Sequence, residues 1–370
     1  MAVVSLRDAP GAAAVQRIAL FLLVAGLALT QSGCLSLGPH RLKADQVDYA
    51  RALGDAKKRE ILATVVGLRF ADAPAVLDVS QIIAAYTFDV TGGATLNSRP
   101  DPGGPLGEAT GTVSYSNHPT FTFTPATGES YATAYIRPLA PALVLPLAEG
   151  GVPIDLLLRI TAQSVGGLQN GALLAGPSGS GTPEFFELLQ VLRRLQLSGD
   201  ITVQYRADPK GNHVSLIIAP DHAGAAADVA ADKERVRHLL GLAARAKAYD
   251  FVTADGTTSS GAIPLATRSV LAILSALGAE IEVPPEEVAN GATKATIGLV
   301  GGETRPIIIV HVSPKAPRSA YVAIPYRGSE YWIDDADFDS KYAFTVVQEL
   351  MALAQTTDTS KAPIVTIPAN

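Results

Sequence analysis

Apolar residues along this chain recur with two periods. Spacings of three and four predict a helix over 44–70, where Val47, Ala50 and Leu53 lead into Leu62, Val65, Val66 and Arg69, and Ala73-Pro74 closes the run. Asp45 and Asp48 fall in its first predicted turn, where the helix dipole favours acids. The same spacing predicts helices over 142–149, 153–168, 183–195, 225–242, 268–277 and 338–354, with Thr267 as the cap of the helix over 268–277. Strict alternation marks strands. Tyr86, Phe88 and Val90 alternate with Thr87 and Asp89, and Phe121 and Phe123 alternate with threonines. The stretch RPDPGGPLG, 99–107, reads as a loop between them, because Pro and Gly support neither regular structure there. The clearest hairpin lies at 200–219. Ile201, Val203 and Tyr205 precede the turn Asp208-Pro209-Lys210-Gly211-Asn212, and Val214, Leu216 and Ile218 return from it. Strands over 249–253, 306–312, 319–325, 330–333 and 363–367 complete the pattern, with Tyr326-Arg327-Gly328 as a turn in which Gly supplies positive φ. Helices interleaved with hairpins predict an α+β fold, a mainly antiparallel sheet packed by helices. Residues 44–222 and 223–370 form two such regions or one domain.

Composition narrows the class. The chain has 370 residues, 48% hydrophobic and 17% charged, enough to bury a large core and too apolar for disorder. Its formal net charge is −6; residues 1–33 contribute Arg7, Asp8 and Arg17, a net +1, which leaves −7 from Cys34 onward. No basic stripe with interleaved aromatics is present, so nucleic acid is not an expected partner.

Cys34 is the only cysteine, so no internal disulfide can form. Ahead of it, Ile18–Leu29 reads IALFLLVAGLAL behind Arg7 and Arg17. That run is too short to span a bilayer as a helix, which takes about 20 residues, and has the length of a signal-peptide core. The following TQSGC, with Gly33 directly before Cys34, resembles the lipobox of bacterial lipoproteins. The resemblance implies a signal peptide over 1–33, cleavage between Gly33 and Cys34, acyl chains carried covalently on Cys34, and a tether over 34–43. Gln31 stands where that family carries an aliphatic residue. Two or three chains suffice for stable anchoring. Leu35 and Ser36 follow the cysteine with no Asp, which by the same resemblance favours the outer membrane over the inner.

Candidate chemistry is sparse, and no cofactor beyond the covalent lipid is expected. Asp335-x-Asp337-x-Asp339 mimics the start of a calcium loop, but Ser340 holds the glycine position and Val346 the final glutamate position. Asp337 and Asp339 are better read as caps at the start of the last helix, where its dipole favours acids. Arg268-Ser269 at a helix start could grip an anion or belong to an ordinary cap. GPSGSGT, 176–182, lacks the lysine of a phosphate loop. Neither G-x-S-x-G nor S-x-x-K occurs, and the histidines show no H-E-x-x-H spacing. Tyr331 and Trp332 read as core or as contact aromatics.

Five blocks carry a wider likeness: Ile61–Ile82, Ser114–Glu129, Asp155–Asn170, Thr267–Gly278 and Tyr326–Lys341. Together they resemble an uncharacterised family of proteobacterial lipoproteins. The resemblance implies an exported protein anchored in a Gram-negative envelope and brings no catalytic residue with it. The expectation is a periplasm-facing binding or scaffold component of an envelope assembly or export system, with an envelope protein as partner. Alternatives are an envelope hydrolase with a site assembled from distant residues, and a carrier of lipid or another small ligand.

Overall fold

The computed structural model describes residues 37–74, 77–83, 86–96, 107–117, 120–125, 128–171, 181–209, 211–220, 227–243, 246–254, 261–296 and 305–355. Gly33, Cys34, the signal peptide, most of GPSGSGT and the strand expected at 363–367 lie outside them. Helix α1 spans Leu37–Arg69. It starts ahead of the expected boundary, so Asp45 and Asp48 sit inside it and not in its first turn. The chain divides into compact units, Met1–Lys57 and Lys58–Asn370, and the second holds the last turns of α1 and every other described element. The C-terminus of α1 closes as a Schellman motif: the Asp72 amide donates to Gly67 O at 2.9 Å and the Ala71 amide to Leu68 O at 3.1 Å, with Ala71 at φ 62°.

Strands β1 (Leu77–Ile83), β2 (Tyr86–Leu96), β3 (Gly107–Asn117) and β4 (Thr120–Pro125) follow. β1 pairs with β4 and β2 with β3, both antiparallel, as two two-stranded sheets. Alternation located β2 and β4. Gly107, expected to end a loop, instead opens β3.

After α2 (Gly128–Tyr131) comes a π-helical turn, Ala132–Ile136. The helix expected at 142–149 is two short ones, α3 (Pro141–Val144) and α4 (Pro146–Glu149). Pro146 has no amide to continue α3 and starts α4. The expected helix 153–168 is also wrong in its second half. Helix α5 stops at Thr161 (Ile154–Thr161), and the chain turns into β5 (Ala162–Val165) and β6 (Leu168–Gln169). Gly166 and Gly167, at φ 59° and 84°, supply the two left-handed residues of a tight hairpin.

Helix α6 (Pro183–Ser198), the hairpin β7 (Ile201–Asp208) and β8 (Gly211–Ile218), helix α7 (Ala227–Leu240), and strands β9 (Ala248–Thr253) and β10 (Ile263–Thr267) complete the central layer. The sheet runs β6-β5-β10-β9-β8-β7, antiparallel except for the parallel β9–β10 pair. Strands from both sides of residue 222 therefore share one sheet. Helix α8 (Val270–Glu280) starts later than expected: Ser269 is its cap, accepting from the Ala272 amide at 3.2 Å. Thr267 instead donates its hydroxyl to Leu139 O. Beyond α9 (Pro285–Ala289), a three-stranded sheet is ordered β11 (His311–Ser313), β13 (Ser329–Asp334), β12 (Ala320–Tyr326), and α10 (Phe338–Gln355) packs behind it. Of the strand expected at 306–312 only 311–312 pair in a sheet, as part of β11. The β12–β13 turn places both Arg327 and Gly328 at positive φ, 48° and 81°.

The mixture of helices and antiparallel sheets is the expected α+β class. One apolar core runs through the second unit, from Ile61 and Leu62 through Phe185, Tyr249 and Ile273 to Phe344. Among the described residues, four charged side chains share that interior. Arg69, Arg268, Asp200 and Lys233 are each under a tenth exposed. The two arginines close helix ends. Arg69 donates to Gly278 O and Ala279 O at 3.2 and 2.9 Å, where α8 runs out of internal partners. Arg268 donates to Arg159 O and Ile160 O at the end of α5, and to Gly171 O at 2.7 Å. Burial pulls the Arg69 guanidinium below its usual range.

Candidate binding cleft

Two prolines and a π-helical turn build an open concavity among the described residues. The Arg137 amide donates to Ala132 O at 2.9 Å, the wide bond that ends the π-turn. Pro138 and Pro141 then keep the chain extended before α3, with Ala140 at φ −63° and ψ 136°. This extended stretch is pinned to the start of α8. The Leu139 amide donates to Arg268 O at 3.2 Å, and Pro138 bridges Ser269. Between it, the β7–β8 hairpin and the end of α10 lies a cleft of about 410 Å³.

Its walls are mainly apolar, with Leu139, Ala142 and Leu143 on one side and Tyr205 on the other. Thr133, Asn212 and Arg137 supply the polar groups. Arg137 is paired with Glu129 at the surface. Tyr205 is exposed, and its outward amide donates to Glu149 Oε2 at 3.3 Å. That carboxylate covers a sheet edge that would otherwise offer a bare donor. No histidine, carboxylate or thiol is among the described residues lining the cleft. The arrangement can hold an apolar group beside a few hydrogen-bonding partners, which is the composition of a binding site.

The acidic residues found in the sequence lie elsewhere, each paired with a cation. Asp337 accepts from the Ser340 amide at 3.2 Å, directly at the start of α10, and takes both oxygens to Arg305 at 3.0 and 2.8 Å. Asp339 meets the same guanidinium at 3.0 Å, and Asp335 pairs with Lys341 at 3.0 Å. Ser340 is fully buried, donates to Asp337 and accepts from Arg305 and from the Ile309 amide. Burial would raise the Asp337 carboxyl, but hydrogen bonds from Ser340 and Arg305 outweigh it and hold it below the usual range. Among the described residues no three acidic, histidine or cysteine side chains form a group able to hold a metal ion. The Arg268 guanidinium likewise turns to backbone carbonyls, and Ser269 turns to its own helix. The two do not form an anion grip.

His311 is the described histidine with the most catalytic look. Its Nδ1 lies 3.1 Å from Glu282 and its ring packs on Trp332 at 4.6 Å. The nearby hydroxyl is committed otherwise: Ser313 donates to Lys315 O and accepts from Trp332 Nε1. Tyr331 is in the core, where burial pushes its phenol up to about 12. No described helix is long and apolar enough to cross a membrane. Comparison of the chain with protein-family models, with curated proteins and with solved structures finds no match.

Proposed function

We propose that this chain is a lipid-anchored, non-catalytic binding component of a Gram-negative cell envelope, facing the periplasm and holding an apolar segment of an envelope protein in the cleft beside Tyr205. The observation that carries the binding half is the cleft itself: open, apolar-walled and rimmed by Arg137 and Asn212. The anchoring half rests on Gly33-Cys34 after twelve apolar residues. It fits the likeness to proteobacterial lipoproteins. A carrier of lipid or another small ligand is the second reading, favoured by a volume within the usual range of small-molecule sites.

Two tests separate the halves. Cys34→Ala should abolish incorporation of labelled palmitate and shift the protein out of the membrane fraction; a labelled, normally processed variant would contradict the anchor. Ala142→Trp should fill the cleft and lower recovery of a crosslinked envelope partner at least tenfold, with the melting temperature unchanged. Equal recovery from both proteins would contradict docking there, and loss of a copurifying lipid in place of a protein would favour the second reading.

A further inference from the structure

The chain leaves α10 at the cleft. Ala354, next to the last residue of that helix, lines the cleft beside Tyr205. Gln355, the last, donates its side-chain amide to the Tyr135 hydroxyl at 2.7 Å. Tyr135 belongs to the π-helical turn, is buried, and stacks on Tyr131 with ring centroids 5.2 Å apart. The helix end is thereby tied to the segment that leads into the cleft wall. Residues 356–370 lie outside the described residues, and their sequence has two parts. It reads TTDTSK over 356–361 and APIVTIP over 362–368. The first six residues are polar. The second stretch, which holds the strand expected at 363–367, sets Ile364, Val365 and Ile367 between Pro363 and Pro368. Ala362 and Ile367 each precede a proline, which biases them to extended backbone, and β-branching favours the same conformation at Ile364 and Val365. Neither proline has an amide to leave unpaired against an apolar wall.

We infer that residues 362–368 occupy the cleft of their own chain in the absence of a partner, with Ile364, Val365 and Ile367 against the wall of Leu139, Ala142 and Leu143, and that an envelope partner binds by displacing them. Length allows it. Eight residues run from Gln355 to Pro363, about 26 Å when extended, and Ala354 itself lines the cleft, so a short reach is enough. Size agrees. A volume of about 410 Å³ lies near the lower end of the range for small-ligand sites, which suits a few side chains of a short segment better than the face of a folded domain. Apolar walls meet three apolar side chains, while Thr133 and Asn212 can pair with the backbone of an extended segment. A segment on so short a tether has an effective concentration of about 1 mM. Against an intrinsic dissociation constant of about 0.1 mM it fills the cleft in roughly nine chains of ten, and a partner then binds about tenfold more weakly than to an empty cleft. The docking stands on the cleft and on the exit of α10; the displacement step rests on the partner reading proposed above.

The test uses the full-length chain, purified in detergent, with a photocrosslinking residue at position 143. Irradiated alone, it should give an intramolecular product in which the peptide containing position 143 carries 362–370, the piece that trypsin releases after Lys361. The probe for affinity is a fluorescent peptide of sequence APIVTIP. It should bind the full-length chain carrying Ile364→Asp and Ile367→Asp at least tenfold more tightly than wild type, and adding Ala142→Trp should abolish that binding. A gain of affinity is a readout that a folding defect would not produce. The inference is overturned by a product from position 143 that lacks 362–370, or by equal peptide affinity of wild type and the double variant. It is also overturned by a crosslinked dimer, which would put the segment in another copy's cleft. A self-crosslink with no envelope partner recovered from cells upholds the docking and removes the partner reading. A partner product from cells without a self-crosslink in the purified chain overturns the docking alone.

Discussion

Lys233→Met should lower the free energy of unfolding by about 3–5 kcal/mol, measured by urea denaturation. Lys233 lies on α7, is completely buried, and places its ammonium 2.8 Å from Asp200 Oδ1 in the turn between α6 and β7. Ser198 donates to the other carboxylate oxygen at 2.7 Å. Both charges have left water, so the pair itself adds little net stability. Removing one partner is different, because it leaves Asp200 charged, almost fully buried and supported by neutral donors. The double variant Lys233→Met with Asp200→Asn removes both charges and should recover much of the loss. A single variant that costs under about 1 kcal/mol would show that the carboxylate is solvated in the folded chain.

Gly278→Ala should destabilise the chain by about 1–2 kcal/mol, although alanine is the better helix former by about 1 kcal/mol. The glycine sits in α8, where a Cβ would stand 2.8 Å from the Val65 carbonyl oxygen of α1. A backbone atom cannot swing aside as a side-chain tip can. The helices must separate, at an overpacking cost of about 1–3 kcal/mol. Separation also stretches the bonds from Arg69 to Gly278 O and Ala279 O. A raised melting temperature for Gly278→Ala would mean that α1 and α8 are not in such close contact.

Several of these features were legible in the sequence. Arg69 falls on the same apolar stripe as Leu62, Val65 and Val66, and it is buried with them. Lys233 is three and seven residues from Val236 and Leu240, the buried face of α7. A charged residue in phase with an apolar stripe was therefore the sign of a buried ionic group in both helices. The hairpin over 200–219 was legible because alternation and a Pro-Gly turn agreed. The stretch 162–169 misled because Ala162, Val165 and Leu168 keep helical spacing, while Gly166-Gly167 set a tight turn that overrides it. What could not be read is long-range. Arg305 reaches Asp337 and Asp339 from more than thirty residues away, and converts what looked like a calcium loop into a neutralised helix start. The cleft joins Thr133, Tyr205 and Ala354, which no local pattern connects.

The β2–β3 pair is a mixed case. Alternation located β2, but β3 carries glycine, threonine and serine at most positions and gave little strand signal until its pairing was known.

Central to this account is that the cleft holds a protein partner in the cell. The most direct measurement is in-cell photocrosslinking of the full-length chain from Leu143, a cleft wall, beside Leu197, an exposed residue that does not line the cleft. The account predicts a discrete crosslinked envelope protein from position 143 that is absent from 197 and lost in Ala142→Trp. Recovery of the chain alone from position 143, or the same product from both positions, would contradict it.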